Sequence, residues 1–131
     1  MQKVIHTKGK RKQAIARATL HPGTGRVLIN NIALEHYSNH LSRLRVQEPL
    51  LLAGEAAQGI DLAVNVCGGG VNGQADAARL AIARALVQHN PQLKRTFDEY
   101  DRLLLVADVR RKEARKPNDS KARAARQKSY R

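Results

Sequence analysis

A short glycine-rich segment supplies the first residues whose types and spacing could perform chemistry. The sequence GGGVNG (residues 68–73) fits the spacing G-x-G-x-x-G through Gly68, Gly70 and Gly73, and it lies between a predicted strand and a predicted helix. In nucleotide-binding enzymes this spacing lets the backbone approach a pyrophosphate at the start of a helix. The most specific enzyme hypothesis is therefore that a nucleotide binds at these glycines.

The rest of the chain gives this enzyme hypothesis little support. A dinucleotide site needs a second parallel strand with an acidic end, but the sequence after Pro91 is polar and helical in character. A P-loop needs a lysine and a hydroxyl residue at the positions where Gln74 and Ala75 stand. The chain also offers no adjacent nucleophile and base and no paired catalytic carboxylates, so we expect that it is not an enzyme.

Two further interpretations of the glycines stay open. Consecutive glycines can simply permit positive φ angles in a tight turn from strand to helix. Alternatively, the freed backbone N–H groups and the helix N-terminus near Gly73 form an anion site that suits a phosphate of a nucleic acid. The surplus of positive charge in the chain favours the nucleic-acid interpretation.

A cationic cluster, KGKRK (residues 8–12), precedes a predicted strand that carries Arg17. Such a cluster is often only a solvated edge. Because the chain is poor in acids, contact with phosphates is the favoured interpretation of this cluster.

The C-terminal residues form a second and stronger concentration of positive charge. Residues 110–131 contain ten Lys or Arg and two acids, a net charge of +8, whereas residues 1–109 carry a net charge of +5. The last eleven residues, KARAARQKSYR, contain no aliphatic side chain larger than alanine, so alone in water they should be disordered. We predict a globular RNA-binding domain over residues 1–109 and an extended basic arm over residues 110–131.

Composition and charge indicate the class of partner. The chain has 131 residues, a formal net charge of +13 and a sequence pI of about 10.8, which is typical of a protein that meets a polyanion. An anionic membrane surface is the rival partner, but no apolar run approaches the roughly 20 residues that span a bilayer. The sequence therefore predicts a cytoplasmic protein whose partner is a nucleic acid and not a membrane.

Cysteine and histidine usage predicts neither a metal site nor a cofactor. The single cysteine, Cys67, excludes an internal disulfide, and we predict that it is a small buried hydrophobe. Only His36 and His40 have a spacing that places two imidazoles on one helix face, and no third ligand accompanies them.

Apolar periodicity predicts three or four strands and several helices. Period-two alternation indicates strands, and spacings of three and four residues indicate amphipathic helices. The predicted elements are a strand over residues 14–20, a turn over 21–26 and a returning hairpin strand over 26–30, two short helices within 32–57 separated at Pro49, a strand over 60–67, a helix over 74–89 and a short helix over 92–100. This order predicts an α+β fold, a two-layer sandwich with helices on one face of the sheet.

The glycines and the following helix together resemble a known family signature. The residues that fit this signature are Gly68, Gly69, Gly70, Gly73, Gln74, Ala77, Ala81, Ala83 and Arg84. The run GGGVNGQADAARLAIARAL (residues 68–86) resembles the family of the ninth protein of the small ribosomal subunit, and residues 9–31 look like the opening hairpin of that family. The end of the chain, KSYR, resembles archaeal members more than bacterial ones.

This resemblance implies a fold, a location and partners. It implies a mixed four-stranded sheet with a left-handed βαβ crossover, seated on ribosomal RNA in the head of the small subunit. It also implies that the arm reaches the peptidyl-site tRNA, that neighbouring ribosomal proteins pack on the body, and that no homo-oligomer forms. A free basic nucleic-acid-binding protein, or a mononucleotide-binding enzyme that uses the glycines, remains the alternative.

The candidate site residues combine the basic segments, the glycines and the arm. The residues expected to bind RNA are Lys8, Lys10, Arg11, Lys12, Arg17, Gly68, Gly69, Gly70, Asn72, Gly73, Gln74, Arg79, Arg110, Arg111, Lys112, Arg115, Lys116, Lys121, Arg123 and Arg126. The residues expected to contact tRNA are Lys128, Ser129, Tyr130 and Arg131.

Overall fold

The computed structural model describes residues 3–117 and 122–123 and contains one mixed sheet and three α-helices. In chain order the elements are β1 (Ile5–Arg11), β2 (Ala14–Pro22), β3 (Val27–Ile29), β4 (Ile32–Ala33), α1 (His40–Ala53), β5 (Ile60–Cys67), α2 (Val71–His89) and α3 (Leu93–Tyr100). Short 3₁₀ turns occupy Leu34–His36, Gly54–Ala57 and Arg102–Leu104. The predicted α+β class is confirmed, and the sheet has five strands where four were expected.

The sheet has the strand order β1-β2-β5-β3-β4. β1 and β5 both pair antiparallel with β2, whereas β3 pairs parallel with β5 and antiparallel with β4. The parallel pair β3 and β5 is joined by a crossover that contains α1, and the left hand of this crossover stays a prediction. The basic segment of residues 8–12 lies mostly in β1, which forms the hairpin with β2.

The predicted hairpin between residues 14–20 and 26–30 is wrong, because β5 lies between the two strands. The carboxylate of Asp61 at the start of β5 accepts hydrogen bonds from the backbone N–H groups of Thr24 and Arg26, at 2.9 and 3.0 Å. The side chain of Asn30 then makes two hydrogen bonds to Val66 of β5. Its amide N–H donates to the carbonyl of Val66, and its amide oxygen accepts from the backbone N–H of Val66. These contacts hold the turn and β3 against β5 instead of β2.

Alternation along the strands places all helices on one face, as predicted. Except for Pro22 at the end of β2, the even-numbered residues of β2 and β5 are buried, and the odd-numbered residues face away from the helices and are exposed or half-buried. Cys67 is exposed, so its predicted burial is wrong, because it follows the odd-numbered face of β5. We call this helix-free side the open sheet face.

The helices differ from prediction in their bounds. α1 continues through Pro49, so the predicted break is wrong; the buried ring removes only one N–H donor, and α1 packs along α2. α2 begins at Val71 instead of Gln74 and buries nine residues, most of them alanines. Among the described residues, no helix is both long and apolar enough to cross a bilayer.

The alanines of α2 allow a close approach to the sheet. A Cβ atom added at Gly9 of β1 would lie 2.2 Å from the backbone oxygen of Ala77. Phe97 of α3 is fully buried in the same core, beside α1 and α2. This close packing fixes the N-terminus of α2 beside the β1–β2 turn, where the candidate site lies.

Candidate nucleic-acid interface

Three segments that are far apart in the sequence line one groove of about 870 Å³, which we call the basic groove. Its lining residues are Arg11, Lys12, Gln13, Gly69, Gly70, Val71, Asn72, Gly73, Arg110, Arg111 and Lys112. This set contains five cations and no acid. The structure therefore brings together the end of the β1 cluster, the glycine segment and the first residues of the arm, as the phosphate interpretation requires.

The glycine segment forms a crowded turn between β5 and α2. Gly68 and Gly69 have φ angles of +76° and +64°. A Cβ atom at Gly68 would lie 2.5 Å from the backbone oxygen of Gln13, and one at Gly69 would lie 3.0 Å from the backbone nitrogen of Ala14. The interpretation that these two glycines permit positive φ is confirmed, and the groups that crowd them belong to the β1–β2 turn.

The start of α2 presents positive potential to the basic groove. Gly70 is the N-cap, no side chain caps the helix, and its first turn contains no acid. The first backbone N–H groups of an α-helix have no partner within the helix, so those of Val71, Asn72 and Gly73 are available to an anion. The side chain of Gln74 is bonded within the turn, because its amide donates to the carbonyl of Gly68 at 3.1 Å.

The root of the arm is fastened to the body beside the same groove. Asp108 accepts hydrogen bonds from the side chain and backbone N–H of Arg110, and it also pairs with Arg11. The bonds from Arg110, together with the charge of Arg11, hold the pKa of Asp108 well below its ordinary range. Arg111 donates to the carbonyl of Lys12 at 2.9 Å, a contact between residues 99 positions apart.

The cations of the basic groove therefore fall into two groups. Arg11 and Arg110 are neutralised in part by Asp108, whereas Lys12 and Lys112 are exposed and make no ion pair within the described part of the chain. Arg111 offers the remainder of its guanidinium beyond its bond to the Lys12 carbonyl. Lys12, Arg111 and Lys112 are the groove cations that an external phosphate could engage at least cost.

Arg79, one of the predicted RNA contacts, forms ion pairs within the protein. Its side chain is only 13% exposed and pairs with Glu48 of α1 at 2.5 Å and with Asp101 after α3 at 3.1 Å. The pKa of Asp101 is lowered by the backbone N–H of Leu103 and then by Arg79. Arg79 thus joins three helical segments, and its predicted RNA contact stays a prediction.

The other predicted residues are distributed over the surface. Lys8, Lys10 and Arg17 are exposed on the open sheet face, outside the basic groove, and Arg115 and Lys116 are exposed in the arm. Arg123 pairs with Glu113 at 2.7 Å. The remaining predictions, at Lys121, Arg126, Lys128, Ser129, Tyr130 and Arg131, lie outside the described residues.

Sequence reasoning missed three groups that shape the site. Asp108 fastens the arm, Gln13 lines the groove, and Arg84 donates to the carbonyls of Leu105 and Lys8 at 3.1 and 2.9 Å. An acid two residues before Arg110 was a signal for a local ion pair, but nothing local in the sequence reveals the distant partners. Over residues 3–117 and 122–123, no three His, Cys, Asp or Glu side chains cluster as metal ligands.

Comparison with known proteins identifies the family of this chain. The family model described as ribosomal protein S9/S16 matches residues 9–131. The archaeal protein named small ribosomal subunit protein uS9 from Methanothrix thermoacetophila is 49% identical over 98% of this chain and 99% of its own length. Proteins of the same name from Pyrobaculum aerophilum and Desulfurococcus amylolyticus are each 47% identical over 98% of this chain, and cover 92% and 94% of their own lengths.

The fold and the groove thus define a small basic α+β protein with a cation-lined groove and a positively charged C-terminal segment. The chain belongs to the ribosomal protein S9/S16 family, of archaeal type. Family membership confirms the expectation that it is not an enzyme, because its relatives are structural ribosomal proteins. The predicted cytoplasmic location agrees with that of small ribosomal subunits.

Proposed function

We propose that this protein is a structural constituent of the small ribosomal subunit that binds ribosomal RNA through its basic groove and its arm, and that the end of the arm contacts peptidyl-site tRNA. The observation that supports this most directly is the basic groove, where three separate segments contribute five cations and a helix N-terminus without any acid. The body would comprise residues 1–109 and the arm residues 110–131, acting as one copy among neighbouring ribosomal proteins of the subunit head.

The chemistry of the groove suits a phosphate of the RNA backbone. The N–H groups at the start of α2 can donate to phosphate oxygens, and the surrounding cations release counterions when they neutralise phosphates. The fork of Arg111 can bind two phosphate oxygens at once, whereas Lys12 and Lys112 act as mobile point charges. A nucleotide cofactor is disfavoured because the glycine turn is filled by the β1–β2 turn itself.

The arm extends this binding away from the body. Fully extended, its 22 residues could span about 70 Å at roughly 3.3 Å per residue. The contacts of Asp108 and Arg111 fix where this path begins, beside the basic groove. RNA phosphates would then offset the entropy lost when such a polar segment becomes ordered.

Salt dependence tests the role of the arm. If about half of its ten cations meet phosphates, deletion of residues 110–131 should flatten the slope of log affinity for small-subunit ribosomal RNA against log salt by roughly 3 to 5 units. An unchanged slope would mean that the arm is merely solvated. Cosedimentation of the full chain with archaeal small subunits through moderate salt tests the subunit assignment.

Competition separates this function from the free nucleic-acid-binding alternative. Addition of duplex DNA in excess should leave the protein bound to ribosomal RNA. Equal displacement by DNA and by ribosomal RNA, together with release from subunits at moderate salt, would instead support a general nucleic-acid-compacting protein.

A further inference from the structure

The open sheet face carries a pair of like charges that opposes folding. Lys8 of β1 and Arg17 of β2 are directly opposite each other in the antiparallel register, and both are exposed. Like charges at directly opposite positions destabilise a sheet. Lys10 lies two residues along the same face of β1, roughly 7 Å from Lys8 at the usual strand rise.

No acid on this face relieves the repulsion. Asp61 is the single acid within the five strands, and it lies beside His21 at the far end of the β2–β5 pair. Its carboxylate is already engaged by the N–H groups of Thr24 and Arg26. Within the described part of the chain, neither Lys8 nor Arg17 forms an ion pair, so their charge faces solvent and an external anion.

The remainder of the face combines two half-buried apolar side chains, Ile15 and Leu28, with small or polar ones. Thr19, Ala63, Asn65 and Cys67 have small side chains, and His6 contacts Thr19 through Nδ1 and Oγ1 at 3.1 Å. Lys8 and Arg17 border a shallow depression of about 310 Å³ lined also by His6, Thr7, Ala18 and Thr19. Small central side chains with cations at the border allow a phosphate backbone to approach the strands closely.

Among the described residues this face carries no Phe, Tyr or Trp, and its only rings are the imidazoles of His6 and His21. Tyr37 and Phe97 are buried, and Tyr100 is exposed on α3, on the opposite side of the sheet. Proteins that bind single-stranded nucleic acid stack its bases on aromatic side chains, whereas double-stranded RNA is recognised through its shape, phosphates and 2′-hydroxyls. His6 is bonded to Thr19, and His21 lies opposite Asp61 at the far end of the β2–β5 pair, so the face has no large ring between its cations. These features suit a double helix better than a single strand.

The exposed apolar side chains lie elsewhere. Leu41 and Leu51 on α1 are 70% and 75% exposed, and Leu103 after α3 is 47% exposed, all on the helix side. Large exposed apolar side chains are typical of protein interfaces, so the helix side suits neighbouring proteins. A protein partner has no comparable anchor on the open sheet face.

The geometry points to the open sheet face as a second RNA-binding surface, separate from the basic groove, which takes the sugar-phosphate backbone of an RNA double helix through Lys8, Lys10 and Arg17. This inference rests on the proposed ribosomal RNA binding and extends it. The protein would then contact a helical RNA segment with its sheet while its groove and arm hold other phosphates.

The test uses the full chain with Lys8→Gln and Arg17→Gln combined, because removal of the like charges should change two measurements in opposite directions. Relief of the repulsion should raise Tm by about 1 to 5 °C at low salt. Affinity for a short RNA duplex should fall, and the slope of log affinity against log salt should flatten by roughly 1.4 to 1.8 units, at about 0.7 to 0.9 per lost phosphate contact. Affinity for a single-stranded RNA of the same length should change less.

Control variants separate the possible failures. Lys94→Gln removes an exposed cation on α3 and should change neither Tm nor duplex affinity.

The outcomes separate failure of the sheet surface from failure of the proposed function. If the double variant gains stability but binds the duplex as the parent does, while Lys12→Gln still weakens binding to ribosomal RNA, the sheet surface is refuted and the proposed function stands. If the double variant binds both RNAs normally but no longer enters subunits, a protein covers this face and the inference is overturned. If neither these variants nor deletion of residues 110–131 alters RNA binding, the proposed function itself fails.

Discussion

Single residues at the glycine turn show how local geometry serves the site. Gly68 and Gly69 take φ angles that side chains rarely adopt, and they do so where the β1–β2 turn leaves no room for a Cβ atom. Gly70 has a φ of −106°, and a Cβ atom there would meet nothing within 4 Å. Neighbouring glycines therefore have different roles, since two make the turn possible and the third begins α2.

Substitutions at Gly69 and Gly70 should accordingly change stability in opposite directions. Gly69→Val should lower the free energy of unfolding by about 1 to 3 kcal/mol or more, because a β-branched residue at φ +64° is strained and would also press on Ala14. Gly70→Ser should preserve it or raise it by roughly a few tenths of a kcal/mol, because a serine at the N-cap can accept a hydrogen bond from the free N–H groups of the first turn. Chemical denaturation measures both, and equal losses would contradict the assigned geometry.

Asp61 is a second residue whose local bonds have a measurable consequence. Its pKa is lowered by the hydrogen bonds from Arg26 and Thr24, so the folded protein holds the ionised form more strongly than the unfolded chain does. The resulting stability is present above the unfolded pKa of about 3.9 and is lost as the pH falls through the lower folded value. Asp61→Asn should therefore lower Tm at neutral pH, and its Tm should approach that of the parent as the pH falls below about 4. A Glu55→Gln control, at an exposed position, should follow the parent throughout.

At the scale of elements, period-two and helical patterns predicted β2, β5 and α2, because alternation reports which face of an element is buried. The same patterns could not predict which strands are neighbours. The expected hairpin does not form, because β5 pairs with β2 in place of β3. Hydrogen bonds of Asp61 and Asn30, which are a whole crossover apart in sequence, hold the turn and β3 against β5. The sequence likewise indicated the separate segments that line the basic groove. It could not show that these segments meet, because the bond from Arg111 to Lys12 joins residues 99 positions apart and depends on the complete fold.

The fate of Arg79 illustrates the same limit. Its position on α2 identifies it as a polar residue of an amphipathic helix, but the sequence does not reveal that Glu48 and Asp101 converge on it from two other elements. Which acids pair with a cation on a helix face therefore depends on the complete fold.

The attachment of the arm to the body is a property of the segment after α3, and it should depend on Asp108. Asp108→Asn should weaken the contacts with Arg110 and Arg11, so that trypsin cleaves faster after Arg110 and Arg111 while residues 3–107 stay resistant. Asp98→Asn, an exposed carboxylate on α3, is the matched control and should leave the cleavage rate unchanged. Equal cleavage rates for all three proteins would mean that Asp108 does not hold the arm.

At the scale of the whole molecule, the exposed leucines are separate from the main concentrations of positive charge. The basic groove, the open sheet face and the arm carry cations with few acids, while the exposed leucines lie on the helix side. The acids within the body are used mainly for internal bonds, as with Asp61, Asp101 and Asp108. Such a distribution suits a protein that contacts RNA with its groove and open sheet face and contacts other proteins with its helix side.

The end of the arm is the part that the proposed function assigns to tRNA, and its residue types suggest how contact is made. An arginine such as Arg131 offers a planar donor fork for a phosphate, and Tyr130 can stack on a base or donate its hydroxyl. Removal of residues 129–131 should leave assembly of the small subunit intact, because the groove, the sheet and most of the arm's cations remain. It should weaken tRNA binding in the peptidyl site by about 1 to 3 kcal/mol, the range for one or two charge-assisted hydrogen bonds.

Arg131→Lys distinguishes a specific contact from simple attraction. An ammonium keeps the charge but loses the fork, so this variant should recover only part of the lost tRNA affinity. The measurement is tRNA affinity for subunits that carry each variant, at fixed magnesium and salt concentrations. Full recovery by lysine would indicate a purely electrostatic effect, and equal affinity of the truncated and full-length forms would exclude the contact. Failure of the truncated protein to assemble would assign residues 129–131 to ribosomal RNA, since a segment needed for assembly must act before tRNA arrives.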